Sequence, residues 1–130
     1  MVKFVIPLSP TTKKNSSIVT LKNRKRPIIL PSKSFADYQK AAGVYLDALE
    51  IDQPVNVKAL FYRKTRHRVD LTNLNEALHD VLVHYHVLKD DNCKIIVSTD
   101  GSRVLYDKEN PRTEVYISEI PNYSDPFEKG

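Results

Sequence analysis

The chain is 130 residues long, enough for one compact domain with one hydrophobic core. Its 41% apolar and 28% charged residues are an ordinary globular balance, and no apolar run approaches the roughly 18 residues that a membrane-spanning helix needs, so no membrane partner is expected. The net charge of +4 is unevenly spread: residues 1–40 hold nine Lys or Arg and one acid, Asp37, whereas the other ninety residues hold eleven bases against fifteen acids.

In chain order, residues 2–8 read as a first strand, with no small-residue cleavage site that would mark a signal peptide. Residues 10–17 form a polar turn segment. Two strand-like pieces, 18–21 and 27–30, can pair as a hairpin whose tip is the basic run Lys22-Asn23-Arg24-Lys25-Arg26. A helix opens at Pro31-Ser32, capped by Ser32 or Ser34, and keeps helical spacing through Ala41, Val44, Tyr45, Ala48 and Leu49 until Pro54 closes the segment. Alternation over residues 55–61 predicts a strand that runs into Arg63, Lys64, Arg66 and Arg68. A second helix covers residues 71–83, with Leu74, Ala77, Leu78, Val81 and Leu82 as its apolar stripe. Lys89-Asp90-Asp91-Asn92 is a turn, and residues 94–98 and 113–120 are strands. The expected architecture is α+β: a single small domain over residues 1–120, with a mixed sheet and two main helices, and a flexible tail at 121–130.

The chemistry concentrates in residues 68–92, RVDLTNLNEALHDVLVHYHVLKDDN. Asp70 precedes the second helix, and Asp90-Asp91 lies in the turn after it, so a return of the chain can bring these carboxylates to one end of the sheet. Hard divalent cations take carboxylate oxygens, and phosphodiester hydrolysis uses such ions to activate water. Thr72, Glu76 and Asp80 form a stripe nearly opposite the apolar face. A solvated acidic helix and an ordinary Asp-Asp-Asn turn explain the same residues. The basic groups are Lys13, Lys14, Lys22, Arg24, Lys25 and Arg26 in the N-terminal part and Arg63, Lys64, Arg66 and Arg68 before Asp70; they suit shape-directed phosphate contacts, or a solvated surface.

The run Asp70-Leu71-Thr72-Asn73-Leu74-Asn75-Glu76-Ala77, followed by Asp80 and by Asp90-Asp91, resembles the D-L-D-N-L-x-K-A signature of the RusA-type crossover junction endodeoxyribonucleases. A weaker likeness extends over most of the chain. The resemblance implies a RusA-like fold and a homodimer that binds four-way (Holliday) DNA junctions and nicks opposed strands symmetrically in recombination and repair. It implies Mg2+ as cofactor, with Mn2+ as a substitute, and a bacterial or phage-infected cell, in a phage or prophage setting. Asp70 and Asp91 match metal-binding aspartates, and Asp90 supports the second. Two positions depart from the pattern, Thr72 for an Asp and Glu76 for a catalytic Lys. Our reading is that Glu76 restores the lost carboxylate, with Asp80 as a further one, and that Lys89, Lys94 or Arg68 replaces the lost cation. The rival reading is that both changes disarm the site and leave a branched-DNA-binding protein.

Other chemistries are weaker. His79, His84 and His86 lack the companions of a zinc site. Cys93, the only cysteine, excludes an intramolecular disulfide and suits a reducing cytoplasm. Three glycines form no phosphate-cradling loop, so no nucleotide cofactor is expected. An RNA-binding or protein-interaction domain would leave the acidic stretch as a solvated helix and turn, but no RNA-binding motif supports it.

Overall fold

A computed structural model of the chain describes residues 1–13, 17–19, 28–30 and 33–128, the two triplets as backbone. The elements are β1 (Val2–Ile6), β2 (Ser17–Val19), β3 (Ile28–Leu30), α1 (Lys33–Ala42), β4 (Val55–Arg63), α2 (Leu71–His84), β5 (Ile96–Ser98), β6 (Arg103–Tyr106) and β7 (Arg112–Glu119). Alternation decides which face of the sheet is covered. In β4, Val55, Val57, Ala59 and Phe61 are buried, in β7 Thr113, Val115 and Ile117, and in β1 Phe4 and Ile6. A period of two puts each set on one face of its strand. The strands run in the order β1-β7-β4, antiparallel, with Phe4 opposite Val115 and Ala59 opposite Val115 in turn. On the far edge of β4 lie two short parallel partners, β5 at its start and β6 at its end. The sheet is therefore mixed, as expected.

The helices close the buried face. Leu74, Ala77, Leu78, Val81 and Leu82 of α2 are buried, as the stripe requires, together with Phe35, Tyr38 and Ala42 of α1. Each Leu, Val or Phe among them contributes about 1.5–3 kcal/mol when fully buried. The opposite face carries basic and aromatic side chains. Lys3 and Lys58 each approach the Tyr116 ring at 5.2 Å, and the Arg112 guanidinium lies 3.8 Å from the Tyr62 ring centre between Asp107 and Glu114.

Three details differ from the sequence reading. The first helix stops at Ala42 and tightens into a 3-10 turn over Gly43–Tyr45, leaving Val44 83% exposed. A residue far along the chain packs against this end: the Tyr85 hydroxyl donates to the Gln39 carbonyl at 2.5 Å, with the Lys40 carbonyl 3.3 Å away. Gly43 admits that ring, because a Cβ there would stand 2.5 Å from Tyr85 Cε1. β6 is a strand between the two expected at 94–98 and 113–120; with both ends exposed it shows no alternation in sequence. β5 and β7 also differ slightly in their bounds from the strands expected at 94–98 and 113–120, covering Ile96–Ser98 and Arg112–Glu119. The expected pairing of the two N-terminal pieces holds at the backbone, with Ile18 opposite Ile29, while the basic run between them lies outside the described residues.

Candidate active site

α2 begins from an extended Asp70 (φ −82, ψ 125), whose carbonyl accepts the Asn73 and Leu74 amides. The Asp70 carboxylate accepts from the Asn73 side-chain amide at 3.1 Å. With about 1.5 Å of rise per residue, Thr72 and Glu76 stand one turn apart on the same side of the helix. At the other end, Tyr85 ends α2 and His86 takes a left-handed conformation (φ 61), which turns the chain back. Residues 86–89 then bond to 50–51: Glu50 N–H to the His86 carbonyl at 2.8 Å, Ile51 N–H to Val87 at 3.0 Å, and Lys89 N–H to Ile51 at 2.9 Å. Val87 and Leu88 are buried, so this return is anchored in the core.

The anchored return presents a turn built by Asp90. Its carboxylate accepts the Asp91 N–H at 2.8 Å and the Asn92 side-chain amide at 3.0 Å, and these bonds, Asn92's first, lower its pKa. The Asn92 side chain in turn accepts the Lys94 N–H at 2.9 Å. Asp91 faces the helix from this turn. Thr72, Asn75, Glu76 and His79 of α2, together with Asp91 and Thr99, line one open cleft of about 390 Å3. Two atoms of the cleft residues, Asn75 Oδ1 and His79 Nε2, are buried with no hydrogen-bond partner among the described residues. Burial lowers the His79 pKa, while Asp91 and Asp80 pull it the other way.

Beside the cleft, the Lys13 ammonium hydrogen-bonds the Asp80 carboxylate and stands 4.0 Å from Glu76. That bond to Asp80, reinforced through space by Glu76 and Asp91, raises the Lys13 pKa against partial desolvation. Just behind Lys13, Pro10, Thr11, Thr12, Ser34 and Arg63 contribute to a second pocket of about 230 Å3. Arg63 donates to the His67 carbonyl, Arg66 lies 4.3 Å from the Tyr106 ring centre, and Lys64, Arg66 and Arg68 are exposed. An acidic cleft thus adjoins a hydroxyl- and guanidinium-lined one.

Of the carboxylates expected at the site, Glu76 and Asp91 line one cleft, and Asp80 is linked to Glu76 through Lys13. Asp70 and Asp90 are not among the residues that line the cleft. The expected replacement cations stand elsewhere, Lys89 on Asp52 at 3.3 Å and Lys94 on Asp125 at 3.7 Å, and Arg68 is exposed. Lys13, expected only as a general phosphate contact, is the cation on Glu76. Lys14, Lys22, Arg24, Lys25 and Arg26 lie outside the described residues. Asn75, His79 and Thr99 were missed as cleft residues. Asn75 and His79 share the helical side of Thr72 and Glu76, so spacing could have found them, whereas Thr99 and Lys13 come from distant segments.

No group of three or more His, Cys, Asp or Glu side chains among the described residues stands ready to hold a metal ion. The histidines do not converge: His84 packs edge-on against Tyr85, and His86 Nδ1 lies 3.0 Å from Glu50. The cleft's donors are mostly oxygens, two carboxylates, two hydroxyls and the amide oxygen of Asn75, with the His79 imidazole as the one nitrogen donor among the lining residues. That set fits a hard cation such as Mg2+ and not a soft one.

The fold and the cleft define a small α+β protein whose acidic cleft has hydroxyl- and guanidinium-bearing residues beside it. The family model described as Endodeoxyribonuclease RusA matches residues 7–118, and the chain belongs to that family. The family is one of nucleases associated with Holliday junction resolution. None of the curated proteins compared with the chain matches it.

Proposed function

We propose that the protein is a structure-selective endonuclease that resolves four-way DNA junctions by divalent-metal-assisted hydrolysis, nicking opposed strands as a homodimer. The observation that carries this reading is the meeting of Glu76 and Asp91, from α2 and from the turn after it, in a cleft with an unpartnered amide oxygen. Glu76, Asp91 and Asn75 are the proposed holders of Mg2+, or of Mn2+ in its place, with Thr72 beside them. Asp70, two residues before Thr72, and Asp80, one turn beyond Glu76, are further proposed carboxylates. Asp90 acts on the site by ordering the turn that presents Asp91. The bound ion supplies Lewis acidity and an activated water.

The chain's own groups bind and orient the DNA. Beside the cleft, the pocket lined by Thr12, Ser34 and Arg63 is where we place a backbone phosphate, with the Arg63 guanidinium, which donates one N–H to the His67 carbonyl, as its cation. Lys64, Arg66 and Arg68 extend these contacts without reading sequence, as do the five basic residues outside the described segments, Lys14, Lys22, Arg24, Lys25 and Arg26. Two active sites related by a twofold axis match the symmetry of a four-way junction. The setting we infer is recombination and repair in the cytoplasm of a bacterial or phage-infected cell. Among the described residues no helix is long and apolar enough to cross a membrane.

A specific observation favours a second reading, a branched-DNA-binding relative without cleavage: Lys13 already pairs with Asp80 and stands 4.0 Å from Glu76, and Thr72 adds no charge. Cleavage of an end-labelled four-way junction, with and without Mg2+, separates the two. Paired symmetric nicks that need Mg2+ support the nuclease. Tight junction binding with no nicks in Mg2+ or Mn2+ supports the binding protein and refutes cleavage.

A further inference from the structure

An acidic cleft repels the substrate it has to hold. Glu76, Asp80 and Asp91 gather on one side of α2, and a phosphodiester adds further negative charge there. Among the described residues, the ammonium that meets all three acids is that of Lys13, bonded to Asp80, 4.0 Å from Glu76, and coupled through space to Asp91. Its position is fixed by the fold. The ammonium lies 5.9 Å from the ring centre of Phe35, itself only 6% exposed in the core against α2. The Lys13 side chain remains 43% exposed, and its contact with Glu76 ties it to a residue that lines the cleft. Lys13 also directly follows Thr11 and Thr12 of the Arg63 pocket, which places it at the junction of that pocket and the acidic cleft.

We propose that Lys13 is a catalytic cation of this cleft, whose ammonium hydrogen-bonds a non-bridging oxygen of the scissile phosphate. The assignment rests on the junction cleavage proposed above. Lys13 neither gains nor loses a proton in this role. Its charge counts most when negative charge builds on the phosphoryl oxygens, which is the condition for lowering a barrier instead of merely tightening binding. Without DNA, the same ammonium balances Glu76 and Asp80 and competes with a metal ion for them.

The test compares wild type, Lys13→Gln and Lys13→Arg on an end-labelled four-way junction at saturating protein. Junction affinity, Tm and Mn2+ titration of the DNA-free protein are measured in parallel. The Gln variant is expected to cut roughly 100-fold more slowly, on the scale of losing one donor to a developing oxyanion. Its junction affinity stays within about tenfold, the scale of one phosphate contact among many. Mn2+ binds the Gln variant more tightly than wild type, because a competing charge is gone, and the Arg variant retains cleavage. Unchanged cutting by the Gln variant overturns the assignment. So does a loss of cutting matched by an equal loss of junction affinity or a lowered Tm, since that marks a binding or folding role. A wild type that cuts no junction overturns the cleavage reading, and the Lys13 assignment with it, and is recognised before any variant is compared.

Discussion

Replacing Glu76 with Gln removes one charge from the cleft while keeping side-chain length and helix propensity. Glu76 is 63% exposed and its ion pair with Lys13 spans 4.0 Å. Unscreened at an effective dielectric of about 20, that separation corresponds to roughly 4 kcal/mol, but an exposed pair retains no more than about 1 kcal/mol after solvent screening. The fold should therefore lose less than about 1 kcal/mol, a drop in Tm of no more than about 4 °C for a domain of this size. Cleavage is a different matter. If the Glu76 carboxylate helps to hold the metal, its loss removes several kcal/mol of charge stabilisation, and the rate should fall by roughly 100- to 1000-fold. The assay is junction nicking at saturating Mg2+, alongside chemical denaturation and a gel shift on the same junction. A variant that folds, binds and cuts within about threefold of wild type would refute the metal role, because a threefold rate change is only about 0.65 kcal/mol. Glu76 would then be a solvated helix residue.

Thr72→Asp adds a carboxylate to the same cleft, one turn before Glu76 and in the first turn of α2, where the helix dipole favours negative charge. It should tighten Mg2+ dependence in the wild-type background and recover at least tenfold of the rate lost by Glu76→Gln; no recovery in the double variant would show that the two positions do not share an ion. His79 gives a pH test. Burial holds its folded pKa below the ordinary 6.5, so below that pH the unfolded chain takes up a proton that the folded chain resists, and stability falls as pH falls. The slope from this group cannot exceed about 1.4 kcal/mol per pH unit, so His79→Gln should lose less stability than wild type between pH 7 and pH 5 in urea titrations. Equal losses would mean that His79 titrates like a solvated imidazole.

Much of this arrangement is legible in sequence because local periodicity carries it. The Leu74, Ala77, Leu78, Val81 and Leu82 stripe fixes which side of α2 is buried, and that leaves Thr72, Glu76 and Asp80 on the open side. The alternation of β4 likewise fixes its buried face, and Asp90-Asp91-Asn92 is turn chemistry in any context. What sequence does not carry is the set of contacts made across long separations. Tyr85 packs against the end of α1 from more than forty residues away, and nothing near Gly43 announces it. β6 exists because the end of β4 has an open edge, not because its own residues alternate. Lys13 and Asp80, 67 residues apart, meet through the packing of Phe35 against the core, and lysines at 89 and 94 looked as suitable on the chain.

That last contact changes the meaning of the two departures from the RusA pattern. Thr72 in place of Asp removes one negative charge, and Glu76 in place of Lys exchanges a positive charge for a negative one. Taken along the chain, the two changes leave the site more acidic by one charge and without a cation, which argues for a disarmed nuclease. Taken in space, Lys13 stands on Glu76 and Asp80, and its one positive charge offsets the one negative charge that the two changes add. An offset of this kind predicts that Glu76 and Lys13 depend on each other. Moving the cation back, with Lys13→Gln and Glu76→Lys together, should then cut better than Lys13→Gln alone if Thr72→Asp is also present to return the missing carboxylate. A triple variant as slow as the single one would show that charge balance is not what keeps this site competent.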